Sequence, residues 1–282
     1  MSVKNFIPQI WSARLLANLD KKLVYANAVN RDYEGEIKKY GDTVKINKMG
    51  NVTVKDYKDG KIDDPEELSS EQTILTIDQA KYFNFKVDDV DKAQANVTLV
   101  DKGMGRASYA IQDVIDQYIA SFVKDASIKM GSTSKPIELT VSNAYDTLVD
   151  LGVKLDEKNV PRPGRFVILP PFYLGLIAKD PRFTKEYKIL ENGLVEGATV
   201  SGFSIRMSNN VPVSAGKYNI MAGTDMAISF AGQVTEIEAY RPEKSFADAM
   251  KGLYVYGTKV VQPDCLANLT VTLKEGIPSI EG

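Results

Sequence analysis

One stretch, residues 106 to 128, reads RASYAIQDVIDQYIASFVKDASI and limits the possible folds more than any other. Ile111, Val114, Ile115, Tyr118, Phe122 and Val123 recur at the i, i+3, i+4, i+7 spacing of an amphipathic helix. Ala107, Ala110 and Ala126 fill the same face, and no proline interrupts it. The expected packing face is therefore Ile111, Val114, Ile115, Tyr118 and Phe122. Gln112, Asp113, Asp116, Gln117, Ser121, Lys124 and Asp125 fall opposite and are expected to be solvated. At the usual rise per residue this helix is roughly 35 Å long, about twice the average. It can serve as a spine on which the other parts are hung.

The segment before the spine has two characters. Residues 1–40 form an arm: Ile7, Ile10, Trp11, Leu15, Leu16 and Leu19 follow Pro8 at helical spacing, so a short amphipathic helix is expected there. Its apolar stripe packs on its own domain or on a neighbouring subunit. Residues 41–87 alternate with period two at Val44 and Ile46, Val52 and Val54, Leu75 and Ile77, then Phe83, Phe85 and Val87. The text between, KDYKDGKIDDPEELSSEQ, is polar and charged. A long two-stranded hairpin with a polar tip is predicted. Such a ribbon is marginal alone, so it lies on its own core or is held by another chain. The acidic run Asp63, Asp64, Glu66 and Glu67 lacks the ligand spacing and glycine of a calcium loop and reads as a solvated tip. Asp88 or Asp89 can cap a first helical segment with Val90, Ala93 and Val97. Gly103 and Gly105 then mark a kink or break ahead of the spine.

Beyond the spine, residues 129–136, KMGSTSKP, read as a linker. Ser142 is expected to cap a helix carrying Tyr145, Leu148, Val149 and Leu155. The run Arg165 to Leu169 is a continuous apolar strand of the kind buried on both faces, and Pro170-Pro171 start the helix FYLGLIA. A glycine-punctuated meander follows to Glu238. Late strands in residues 241–282 are expected to return to the first half, with the earlier hairpin and the spine as partners. Strand, helix, strand, helix and a meander define an α+β architecture.

Composition removes whole classes of function. There is no histidine, and Cys265 is the single cysteine. That removes the commonest general base and metal ligand, every Ser-His or Cys-His nucleophile, and any intrachain disulfide. The remaining catalytic scrap is S-x-x-K at Ser121–Lys124, Ser132–Lys135 and Ser214–Lys217. Three copies without the accompanying S-D-N and K-T-G elements make a poor serine-enzyme signature. No catalytic residue, cofactor or metal is expected. Net charge is -2, unlike a basic protein that grips nucleic acid by neutralising phosphates. A protein that surrounds DNA without gripping it would also be near neutral, so the charge does not exclude DNA nearby. No apolar run reaches the length of a membrane span, and the N-terminus lacks the apolar core of a signal peptide.

Three stretches carry a resemblance. FIPQIWSARLLANLDKKLVYANAVNRDYEGEIKKYGDTVKI, RPGRFVILPPFYLGLIA and FADAMKGLYVYGTKVVQPD are similar, in that order, to tailed-phage major capsid proteins. The resemblance covers nearly the whole chain and implies the Hong-Kong-97-like capsid fold. It implies an N-terminal arm at 1–40, an extended E-loop hairpin at 41–87 and the spine helix with the first part of the P-domain at 88–134. It also implies an A-domain at 135–240 and the rest of the P-domain at 241–282. The implied function is a major capsid protein that self-assembles into hexamers and pentamers of an icosahedral shell around the genome. The implied partners are further copies, a separate scaffolding protein, a portal protein and non-specific contact with packaged double-stranded DNA. Assembly is expected in the bacterial host cytoplasm, with the product in the virion. Inter-subunit contacts are expected at Ile10, Trp11, Tyr57, Lys58, Asp59, Lys61, Asp63 and Asp64. The alternative within the same fold is an encapsulin-like bacterial nanocompartment shell.

Overall fold

The computed structural model describes residues 23–37, 39–49, 70–88, 98–180, 199–243 and 247–273. The expected arm helix with Ile10 and Trp11, the hairpin tip from Tyr57 to Asp64 and the lead-in residues Val90, Ala93 and Val97 lie outside them.

The long helix, α1, is Thr98–Ala120, and a 3₁₀ turn, Ser121–Asp125, continues it. It therefore starts and ends about eight residues earlier than the periodicity suggests. The chain past the turn is needed elsewhere: Ile128–Met130 forms a strand, and Ser121 Oγ donates to the Tyr118 carbonyl, competing for a helical acceptor. Gly103 and Gly105 lie inside α1 and break nothing. A Cβ on Gly103 would come within 2.9 Å of the Phe85 ring, so the glycine admits that aromatic against the helix.

One β-layer packs on α1 and a second covers the far face of that layer. Strands β1 (Thr43–Met49) and β2 (Ser70–Thr76) pair antiparallel with Thr43 opposite Thr76. The predicted return limb then divides. After Ile77 and Asp78 the chain starts β3 (Gln79–Asp88), which leaves β1 and becomes the edge of a second sheet. That sheet holds β11 (Ile228–Tyr240), β12 (Ala247–Val260) and β3, all antiparallel. Its two faces follow the strand alternation. Phe230, Ile237, Met250, Tyr254 and Tyr256, with Phe83 and Phe85, pack on Met104, Ile111, Ile115 and Ile119 of α1. Ala231 and Val255 point the other way and are covered by Ile37, Val44, Ile46, Leu75 and Ile77. The base of the hairpin thus lies on its own subunit's core. Gly257 makes that contact possible, since a Cβ there would run into the Thr76 carbonyl oxygen.

An eight-stranded mixed sheet forms the remainder. Its order is β4 (Ile128–Met130), β13 (Leu266–Leu273), β10 (Lys217–Thr224), β6 (Arg165–Leu169), β8 (Phe203–Met207) and β7 (Thr199–Val200). Off this path, β5 (Ile137–Leu139) pairs with β13 and β9 (Val213–Ser214) with β10. The helices here are α2 (Ala144–Glu157) and α3 (Pro171–Ala178). β6 is buried at every position and shares itself between two cores. Phe166 and Ile168 join the core around α1, while Val167 and Leu169 join Leu148, Leu151, Leu155, Tyr173 and Ile177 from α2 and α3. Such double burial is why RFVIL has no polar alternation. The stretch 129–136 is a turn in which the backbones of Ser132 and Lys135 hydrogen-bond each other, between strands that both run parallel to β13. The late strands differ from expectation in partner. β12 does return to β3, but β13 inserts between β10 and β4. α2 starts at Ala144, after Asn143 rather than Ser142, whose Oγ instead meets Thr140 Oγ1.

Candidate functional site

Residues 23–28 and α1 meet in a buried polar constellation. Asp116 and Gln112 lie on the helix face expected to be solvated, yet they are only 4% and 3% exposed. The reason is tertiary: residues 23–28 lie along that side of the helix and bury Leu23, Tyr25, Ala26 and Ala28 in the same core as Ile115 and Ile119. Asp116 fastens them. The backbone N–H of Val24 donates to its Oδ2 at 2.9 Å, and those of Tyr25 and Ala26 donate to Oδ1 at 3.1 and 3.4 Å. Burial raises the Asp116 carboxyl to about 6, outweighing the three N–H donors that pull it down; the nearby Asp113 charge adds to the rise. Asp113 accepts from Asn210 Nδ2 at 2.8 Å, tying the helix to the loop after β8. A cavity of about 170 Å³ lies between them, bordered by Val24, Tyr109, Asp113, Asp116, Met207 and Asn210. Nothing in the sequence separates Asp116 from its solvated neighbours on the same face.

The expected packing face of α1 is only partly realised. Ile111 and Ile115 are buried, Tyr118 and Phe122 are half-buried, and Val114 is 37% exposed. Val114 sits at the margin of the stripe, and Ile119, fully buried, takes the central place instead. Ala110, expected inward, is exposed. Tyr118 and Phe122 meet edge to face at 5.2 Å, and the Tyr118 hydroxyl donates to Asp78 Oδ1 at the corner where β2 turns into β3. That link runs from the spine to the root of the hairpin.

Residues of all three S-x-x-K matches are engaged in hydrogen bonds to the backbone. Ser121 bonds its own helix turn, Ser132 Oγ accepts the Lys135 N–H, and Lys217 Nζ reaches the Thr133 carbonyl from a tight β9–β10 turn. Among the described residues no group of three metal-ligating side chains gathers, and no helix is long and apolar enough to cross a membrane. Large apolar side chains are presented to solvent: Tyr82 on β3 is 78% exposed, Tyr40 58%, Val213 55% and Ile74 50%.

Residues 70–269 match the phage capsid protein family. A structure from Mycobacterium phage Che8 is similar with a TM-score of 0.69 and 26% identity, over 95% of this chain and 93% of that one. The capsid of cyanophage P-SCSP1u is similar at a TM-score of 0.59 and 16% identity, covering 87% and 86%. A virus-like particle from Pyrococcus furiosus gives 0.57 and 13%, covering 93% and 98%, which speaks for the fold alone. No curated protein matches the chain. The chain belongs to the phage capsid protein family. Within it, it is a major capsid protein of a tailed phage with the Hong-Kong-97-like fold, a coat protein that assembles with copies of itself into the virion shell.

Proposed function

We propose that this coat protein forms the hexamers and pentamers of an icosahedral shell, enclosing double-stranded DNA through weak, non-specific contacts, and that it performs no catalysis. The observation that carries the reading is the end-to-end likeness to the Che8 structure, with no large part of either chain left over. In this reading residues 1–40 are the arm, 41–87 the E-loop, 88–134 and 241–282 the P-domain, and 135–240 the A-domain. Ile10 and Trp11 of the arm and Tyr57, Lys58, Asp59, Lys61, Asp63 and Asp64 of the hairpin tip contact neighbouring subunits. Exchanged elements of this kind create obligate interfaces, above roughly 2,000 Å². A separate scaffolding protein and a portal protein guide assembly in the host cytoplasm.

The test is electron microscopy with light scattering on the purified protein, alone and with its scaffolding partner, and assay of native particles for nucleic acid. Closed shells or capsomers, with DNA in the native particles, are expected. A stable monomer under both conditions would sink the proposal. Shells holding protein cargo and no nucleic acid would establish the nanocompartment alternative.

A further inference from the structure

Asp116 is a buried carboxylate that no cation faces among the described residues. From its own helix it is faced by Asp113, Tyr109 and Gln112; from the arm's exit, by the Tyr25 phenol; from the loop Met207–Asn210, by neutral side chains alone. Asp113 itself is held by neutral donors, Asn210 Nδ2 at 2.8 Å and Gln117 Nε2 at 2.9 Å. The charge of Asp116 in the docked state is offset by the three N–H groups of Val24, Tyr25 and Ala26. A cavity already reaches the site from the side of Tyr109 and Met207, so water can solvate the carboxylate if the backbone of residues 23–26 withdraws.

We propose that Asp116 is a proton-operated clamp: its protonation favours the docking of residues 23–26 on the long helix, and its ionisation favours their release. The sign follows from linkage. Docked, the carboxyl is raised to about 6 by burial; released and solvated, it returns to its ordinary 3.8. The docked state therefore binds the proton more tightly, and docking weakens as pH rises from the lower value to the upper. Below both values the clamp is at full strength, and at neutral pH the docked carboxylate is charged, with the three N–H donors offsetting only part of its desolvation. The shift corresponds to a change of about a hundredfold in the docked-to-released ratio across the window. Protonated, one oxygen still accepts from the backbone while the O–H can turn to the cavity.

Hydrogen exchange of the amides of Val24, Tyr25 and Ala26, corrected for intrinsic rates, reads the clamp directly in purified subunits. Protection should fall between about tenfold and a hundredfold from about pH 4.5 to about pH 7.5 in the natural sequence. In Asp116→Asn, which cannot ionise, protection should be independent of pH. In Asp113→Asn, which removes the like charge but leaves the clamp, the midpoint should move to lower pH. Protection that is constant or rises with pH in the natural protein would overturn the proposal, as would an Asp116→Asn variant whose protection tracks that of the natural protein. Should Asp116→Asn not fold, an unmoved midpoint in Asp113→Asn refutes the clamp by itself.

Discussion

Arg165 opens β6 with its side chain 1% exposed. Its guanidinium donates to the carbonyls of Val160 and Pro161 and pairs with Asp156 Oδ1 at 2.8 Å, tying the turn after α2 to the central strand. Arg162 first, then Arg165, holds the Asp156 carboxyl below its usual range. A lowered carboxyl stabilises the fold above its ordinary value and loses that contribution as pH falls through the lowered one, so the exposed Arg162–Asp156 pair weakens only as pH falls below the ordinary carboxylate range. Arg165→Met should cost about 2–4 kcal/mol, because the carbonyls of Val160, which is buried, and Pro161 lose their donor; a fall in melting temperature checks it. Gly257→Ala drives a methyl into the Thr76 backbone, which has no side-chain freedom to yield. About 1–3 kcal/mol of destabilisation is expected, together with faster amide exchange along β2.

At the scale of the element, α1 shows what periodicity can and cannot read. The type of element and one inward face were legible, since Ile111 and Ile115 sit at core spacing and are buried. Its ends were not, because β4 draws Ile128 out of the helix to pair with Ala267, a residue far along the chain. Its second face was not, because the chain from Leu23 to Ala28 covers it. Ile115→Asp should therefore prevent soluble folding, as an unpaired charge would enter a fully buried site. Val114→Asp, one residue away, should express and melt within about 1 kcal/mol of the natural protein. Equal damage from both, by solubility and circular dichroism, would contradict the faces described.

For the whole molecule, the hairpin's alternation suggested a ribbon in need of a partner. The structure supplies the partner for its base, through Val44, Ile46, Leu75 and Ile77 against Val255 and Ala231. In the proposed reading, dependence on other subunits falls on the tip and the arm. If Asp63 and Asp64 contact neighbours as proposed, replacing both by lysine should leave the subunit's melting temperature unchanged while lowering the yield of closed particles. Sizing by light scattering and electron microscopy separates the two effects. A lower melting temperature with normal assembly would point to a role within the subunit.

The amino-acid sequence by itself determined the element types with strong local signals: the long helix, the RFVIL strand, the Pro-Pro helix start and the alternating strands, all set by helical and strand periodicity. Its lack of histidine excludes nucleophile arrangements that need one, Ser-His and Cys-His among them. Only the tertiary structure decided where β3 parts from β2, where β13 inserts, and that a polar-looking face of α1 carries a buried Asp116. Those outcomes depend on segments far apart in sequence competing for the same backbone donors and the same core. Local periodicity carries no record of which distant segment wins.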